Sequence, residues 1–242
     1  MPRFFIDSDK LNQTSIEIDG ENGSHLAKSL RVRIGEEITL CDGEGFDYRA
    51  AVTEIAGNSV FADILEKKKS ETEPNRRVTL YQCITKSDKF DLVTQKAVEL
   101  GAYAIVPVTS EFCVAKLDGK EEKKIARWQK IALEAAKQSG RGIIPKVEKP
   151  VKFKDAVKNA SGLKIMCYEH GGEPFTSLIG KSDENSDISI FIGSEGGFSE
   201  NEVELAKENG ILIATLGKRI LRTETAPIAA ISVIMALTGN LE

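Results

Sequence analysis

This chain of 242 residues has only two histidines, His25 and His170, and they lie far apart. Its four cysteines, Cys41, Cys83, Cys113 and Cys167, never fall in a CxxC pair. That spacing argues against a zinc site, so no metal is expected, and the thiols read as buried groups of a reducing cytosol. No apolar run approaches the ~20 residues of a membrane span. No apolar signal-peptide core follows Met1. The expectations are therefore no membrane and a cytoplasmic location. Charge of one sign is not in excess either: 33 basic against 37 acidic residues leave a net charge of −4. This excludes a broad nucleic-acid-coating surface but permits a local basic patch. Finally, the chain contains neither GxGxxG nor GxxxxGK(S/T), so the usual dinucleotide and P-loop readings do not apply.

What is present divides into two regions. A hydrophobic content of 41% suffices for a good core in each. Residues 1–70 carry short, partly alternating strands at 4–6, 15–18, 37–40, 48–55 and 59–65, broken by Asp19-Gly20, Asp42-Gly43 and Gly57-Asn58. With one helix near residues 23–30, capped by Ser24, they read as a small β-barrel. The connection is the polar run 66–77, which holds Pro74, with the linker proper at 71–77. In residues 78–242 strands at 78–84, 104–108, 163–168, 188–192 and 211–216 alternate with helices at 89–100, 120–139 and 200–209. Gly101, Gly140 and Gly210 stop these helices, and Ser199 with Glu202 forms a capping box at the third. Strands alternating with helices imply an α/β domain with a mostly parallel sheet. The last helix, from about Thr225, is apolar on nearly every face. It packs either within its own domain or against a second subunit.

Two glycine-bearing loops follow apolar strands about twenty residues apart, the arrangement by which an α/β protein builds a pocket at its strand ends. The first is Gly193-Ser194-Glu195-Gly196-Gly197. Its glycines let a ligand approach the backbone. Glu195 suits a ribose or an amino group and repels phosphate. The second loop, from Leu216 and Gly217, carries Lys218, Arg219, Ile220, Leu221, Arg222, Thr223 and Glu224. Its cations suit an anionic or RNA substrate. A third strand end holds Tyr168, Glu169 and His170. At the end of the long helix, Gln138, Ser139 and Arg141 cluster, and Arg141 is placed to reach a phosphate. In the first region Arg3, His25, Lys28, Arg31 and Arg33 form a candidate RNA-contact patch. Each group also has a plainer reading, as a tight turn, a helix cap or an ordinary charged surface.

The runs Ile192-Gly193-Ser194-Glu195-Gly196-Gly197-Phe198-Ser199 and Leu216-Gly217-Lys218-Arg219-Ile220-Leu221-Arg222-Thr223-Glu224-Thr225-Ala226 resemble the RsmE family. These are bacterial 16S rRNA uridine N3-methyltransferases of the SPOUT superfamily. Gln95-Lys96-Ala97-Val98-Glu99-Leu100-Gly101, residues 134–141 and residues 25–33 match in the same order. The resemblance implies a PUA-like barrel for RNA, then an α/β SPOUT domain whose C-terminal part is tied in a deep trefoil knot. It implies S-adenosylmethionine as cofactor, 16S rRNA or the small ribosomal subunit as substrate, and a homodimer joined through the knot and the last helix. Carried over by position, Tyr168, Glu169, Gly193 to Gly197, Leu216, Gly217, Ile220 and Leu221 hold the cofactor. For the chemistry itself, the reading of the residues makes Arg222 the cation that stabilises the developing anion and either Glu224 or a water the proton acceptor. Arg3, His25, Lys28, Arg31, Arg33, Arg141 and Arg219 touch RNA. One departure is Ser194, where the family commonly has proline; a serine frees an N–H and loosens the turn. The alternative from another class is a non-catalytic ribosome-assembly factor on the same fold. A nucleotide-dependent oxidoreductase is disfavoured by the missing GxGxxG.

Overall fold

The structure is a computed structural model that describes residues 3–114, 119, 121–181, 183 and 186–242. Its chain forms two compact units that are not consecutive in sequence. One comprises Met1–Glu73 and Ala136–Ile144, the other Pro74–Ala135 and Pro145–Glu242.

In the first unit β1 (Arg3–Phe5), β2 (Ser15–Ile18), β3 (Glu37–Cys41), β4 (Phe46–Ala56) and β5 (Ser59–Lys69) form one sheet in the order β1-β3-β4-β5-β2. All neighbours are antiparallel except β1 and β3. Alternating inward residues, among them Ile18, Leu40, Ala50, Val60 and Ala62, meet Leu26 in one core. β5 runs on through the lysines read from sequence as the start of the connection. There the Lys67 ammonium lies 4.5 Å from the Phe46 ring and 5.1 Å from the Tyr48 ring, so its charge sits on aromatic faces of β4. The expected helix near residue 23 begins earlier, as α1 (Gly20–Ser24), and continues as a π-helical turn, His25–Leu30. Ser24 makes no cap bond. The turn ends on Arg31, whose φ of 54° is the only positive value among the described non-glycine residues.

The second unit contains β6 (Val78–Cys83), α2 (Ser87–Glu99), β7 (Ala104–Thr109), α3 (Glu121–Ser139), β8 (Lys146–Val147), β9 (Val151–Lys152), α4 (Phe153–Asn159) and β10 (Leu163–Cys167). It continues with β11 (Glu173–Pro174), α5 (Phe175–Gly180), β12 (Ile188–Ile192), α6 (Glu200–Glu208), β13 (Leu212–Thr215) and α7 (Thr225–Leu237). Lys120, the expected start of α3, lies outside the described residues. The sheet runs β11-β13-β10-β12-β6-β7-β8, with β9 also on β7, and every pairing is parallel. All five residues of β12 are buried, since a parallel strand is covered on both faces, and its one polar member, Ser189, donates its hydroxyl to the Ser161 carbonyl at 2.8 Å. Phe191 stacks on Tyr81 of β6 with ring centroids 4.5 Å apart. The capping box at α6 forms as expected, with Ser199 Oγ accepting from the Glu202 N–H and the Glu202 carboxylate accepting from the Ser199 N–H. α7 packs against α2 and α5. It buries Pro227, Ala230, Ile231, Ile234 and Met235 and leaves Leu237 exposed. No described helix is long and apolar enough to cross a membrane.

Candidate active site

Because β13, β10, β12 and β6 are parallel neighbours, their carboxyl ends open on the same edge of the sheet. A cavity of about 330 Å³ lies there. It is lined by Cys167, Tyr168 and Glu169 after β10, and by Ile192, Gly193, Ser194, Glu195 and Gly197 after β12. Residues 215–223 and Ala226 close it from the β13 side, and Lys89 comes from the first turn of α2. The two glycine loops and the third strand end therefore build one pocket. Gly196 is the exception among the expected cofactor residues: it does not line the cavity. A Cβ on it would stand 2.8 Å from the Phe112 Cβ, so its bare α-carbon is needed for packing on Phe112.

Gly197 has a different task. It holds φ at +70°, and a Cβ there would overlap Glu169 Oε1. The missing side chain admits the Glu169 carboxylate against the backbone of the first loop. Ser194 is buried, and its hydroxyl donates to the Phe112 carbonyl at 3.1 Å. The 194–197 turn is also closed by the Gly197 N–H on the Ser194 carbonyl at 3.0 Å. The expected loosening at this position is thus not what is found, because the hydroxyl supplies an anchor that a proline lacks.

The two loops are joined through a residue that the sequence reading missed. Gln82, wholly buried in β6, donates from Nε2 to Thr223 Oγ1 at 3.2 Å and to the Gly193 carbonyl at 3.4 Å. Thr223 Oγ1 in turn donates to the same Gly193 carbonyl at 2.7 Å. Nearer the opening, Lys89 Nζ stands 3.3 Å from Glu195 Oε1 and 3.5 Å from Glu224 Oε2. These carboxylates hold the ammonium above its ordinary value, the hydrogen bond with Glu195 contributing most. Glu224 Oε2 is buried, with the Lys89 ammonium at the long distance of 3.5 Å and no closer hydrogen-bond partner among the described residues. Arg219 and Arg222 line the cavity from exposed positions, and Ile220 is 81% exposed at its rim.

Outside the cavity the expected RNA residues divide. His25, Lys28, Arg31 and Arg33 are exposed along one short stretch of the first unit. Arg141 is not available: it is 3% exposed and its guanidinium pairs with Glu73. Glu73 Oε1 also accepts from the Gly142 and Ile143 N–H groups at 2.9 and 3.0 Å. Arg3 is likewise engaged, with Asp47 at 2.8 Å and Ser70 at 3.3 Å. Burial with a bonded carboxylate makes Arg141 part of the first unit's interior rather than a phosphate contact, whereas Arg3 is half-buried on Asp47.

Comparison with known proteins agrees with this geometry. A family model described as an RNA methyltransferase domain matches residues 71–235, and one described as an RNA methyltransferase PUA domain matches residues 18–65. The chain is 32% identical over 252 residues to ribosomal RNA small subunit methyltransferase E of Bacillus subtilis (strain 168), covering 100% of this chain and 98% of that protein. With the protein of that name from Mesomycoplasma hyopneumoniae (strain 232) it shares 38% identity, over 81% and 85% of the two chains. Among solved structures, ribosomal RNA small subunit methyltransferase E from Neisseria gonorrhoeae bound to S-adenosyl methionine superposes with a TM-score of 0.85 at 36% identity, covering 98% of each chain. A putative methyltransferase from Legionella pneumophila in complex with the same cofactor gives 0.83 at 32% identity, covering 97% of this chain and 96% of that one.

Proposed function

The chain belongs to the ribosomal RNA small subunit methyltransferase E family, and on that premise we propose that its strand-end cavity methylates N3 of one uridine in 16S rRNA. It is an S-adenosylmethionine-dependent rRNA methyltransferase with a PUA-like first unit and a parallel-sheet α/β second unit. The observation that carries the proposal is a single cavity lined by backbone from both glycine loops, with carboxylates inside and no phosphate-binding motif. Glu169, Glu195 and the bare backbone suit the hydroxyl and amino groups of a cofactor without phosphate, while Lys218, Arg219 and Arg222 in the same wall suit the RNA. The bare Gly197 beside Glu169 fits that cofactor as well.

In this proposal Tyr168, Glu169, Gly193, Ser194, Glu195, Gly197, Leu216, Gly217, Ile220 and Leu221 hold the cofactor, Leu216, Ile220 and Leu221 as its apolar walls. When bound, S-adenosylmethionine supplies an electrophilic methyl group on a positively charged sulfur. The chain's own work is alignment, which can supply ~7–11 kcal/mol, and removal of the N3 proton. Glu224 accepts that proton. Arg222 stabilises the negative charge that develops on the base. His25, Lys28, Arg31, Arg33 and Arg219 contact the RNA, and the target base leaves its stack to be reached. The trefoil knot belongs to the proposal, as do a homodimer built on the partly exposed face of α7 and a cytoplasmic location. Mass spectrometry of rRNA from cells lacking the protein tests the activity. Loss of one methyluridine is expected, and an unchanged spectrum overturns the proposal in favour of a non-catalytic assembly factor.

A further inference from the structure

One charged group in the cavity still lacks a role. Lys89 reaches two carboxylates that belong to different loops, Glu195 at 3.3 Å and Glu224 at 3.5 Å. Glu224 is the most covered of the three, 17% exposed, against 27% for Lys89 and 34% for Glu195. An ammonium carries three donors and no lone pair, so Lys89 cannot itself take a proton. What it can do is balance charge.

If Lys89 had Glu224 as its sole partner, protonating Glu224 would strand an uncompensated ammonium in a partly desolvated site, which is costly. Glu195 removes that obstacle. Before proton transfer, one ammonium offsets the repulsion between two carboxylates. After it, Lys89 and Glu195 remain as a neutral pair and Glu224 is a neutral acid. We propose that Lys89 is a positioning residue that lets Glu224 act as the proton acceptor, with Glu195 as the anion that stays behind. In this step the N3–H bond breaks, the proton goes to a Glu224 carboxylate oxygen, and the electron pair stays on N3 for the incoming methyl group. The inference rests on the proposed function and goes one residue beyond it.

The test compares the full chain with Lys89→Met and Lys89→Arg. Turnover is measured at saturating cofactor on 16S rRNA carrying uridine or 5-fluorouridine at the target; fluorine makes N3–H more acidic. Calorimetry gives the affinity for S-adenosylmethionine in each case. Lys89→Met should lower kcat by roughly 100-fold, the lower end of a proton-transfer contribution. Its KM for RNA and its cofactor affinity should stay close to those of the unaltered chain, and Lys89→Arg should recover most of the rate. The 5-fluorouridine substrate should erase much of the Lys89→Met defect. An unchanged kcat, or a defect equal on both substrates, overturns the role. Should Lys89→Met not fold, Glu195→Gln keeps the inference testable: it retains the ammonium but removes the permanent anion, and the same recovery on 5-fluorouridine is expected. An unaltered chain inactive on both substrates would count against the proposed function, whereas an active one with an indifferent Lys89 would count against this inference alone.

Discussion

Replacing Thr223 by valine tests whether the two glycine loops are held together from below. The hydroxyl is buried, donates to the Gly193 carbonyl at 2.7 Å and accepts from Gln82 Nε2 at 3.2 Å. Valine has nearly the same shape, so packing is kept and two hydrogen bonds are removed. Each contributes about 0.5–1.5 kcal/mol net, so the joined arrangement of the loops loses about 1–3 kcal/mol. The buried Gly193 carbonyl retains only the longer bond, at 3.4 Å from Gln82. A ligand that requires the joined arrangement then binds more weakly by the fraction of molecules that have lost it. A loss of about 1.4 kcal/mol weakens Kd by at most tenfold, the limit reached where the joined arrangement is no longer the dominant one. Calorimetric titration with S-adenosylmethionine reads this directly. Thr223→Val should weaken binding by up to roughly tenfold, and Thr223→Ser, which keeps the hydroxyl, should not. Equal affinity in all three chains, with an unchanged melting temperature for Thr223→Val, would show that this hydroxyl does not couple the loops.

Other consequences are equally direct. Gly197→Ala forces a side chain into left-handed backbone at about 1–2 kcal/mol and displaces the Glu169 carboxylate. Gly217→Ala at φ +109° meets nothing within 4 Å; both variants should melt lower, but cofactor affinity should fall mainly in Gly197→Ala. Arg222→Ala should lower methylation by roughly 100-fold or more with cofactor affinity nearly unchanged, and parallel loss of both would make Arg222 a structural residue. A hydrogen bond from the Cys83 thiol, with further ones from Ser110, lowers the Cys113 thiol to about 6, while burial raises Cys41 and Cys167 to about 12. Cys113 is therefore ionised at neutral pH and loses its charge as pH falls through about 6. Iodoacetamide should label it first at pH 7 and slow with a midpoint near that value; a midpoint near 8.5, the free-thiol value, would refute the assignment.

The elements legible in the sequence were those whose signal is dense. The Ile-Ser-Ile-Phe-Ile run of β12 and the Ser199/Glu202 box of α6 each compress a whole structural decision into a few residues. β8, β9 and β11 are two residues each, and α4 and α5 are seven and six, too short for a period to repeat. β5 was read as ending too soon because Lys67, Lys68 and Lys69 look like a linker. Nothing local reveals that Phe46 and Tyr48 on the paired strand offer aromatic faces to that charge. Arg141 failed for the same reason: its partner Glu73 is 68 residues away.

The missed half of the candidate site shares one cause. Glycines announce a strand end where backbone meets a ligand, and three of the four strand ends here carry them. The fourth, after β6, carries none; it contributes Gln82 and Lys89 as side chains instead. Its membership follows from strand order, because β6 lies beside β12 in the middle of the sheet although more than a hundred residues separate them. Both side chains reach both glycine loops, Gln82 by hydrogen bonds from beneath and Lys89 by ion pairs nearer the opening. The loops alone are two flexible backbone segments that happen to be neighbours. Gln82 of β6 joins their backbones, and one lysine of α2 that belongs to neither loop pairs with a carboxylate from each. Removing the Gln82 amide should therefore disturb both loops together and weaken cofactor binding, whereas a change within either loop should act on its own side first.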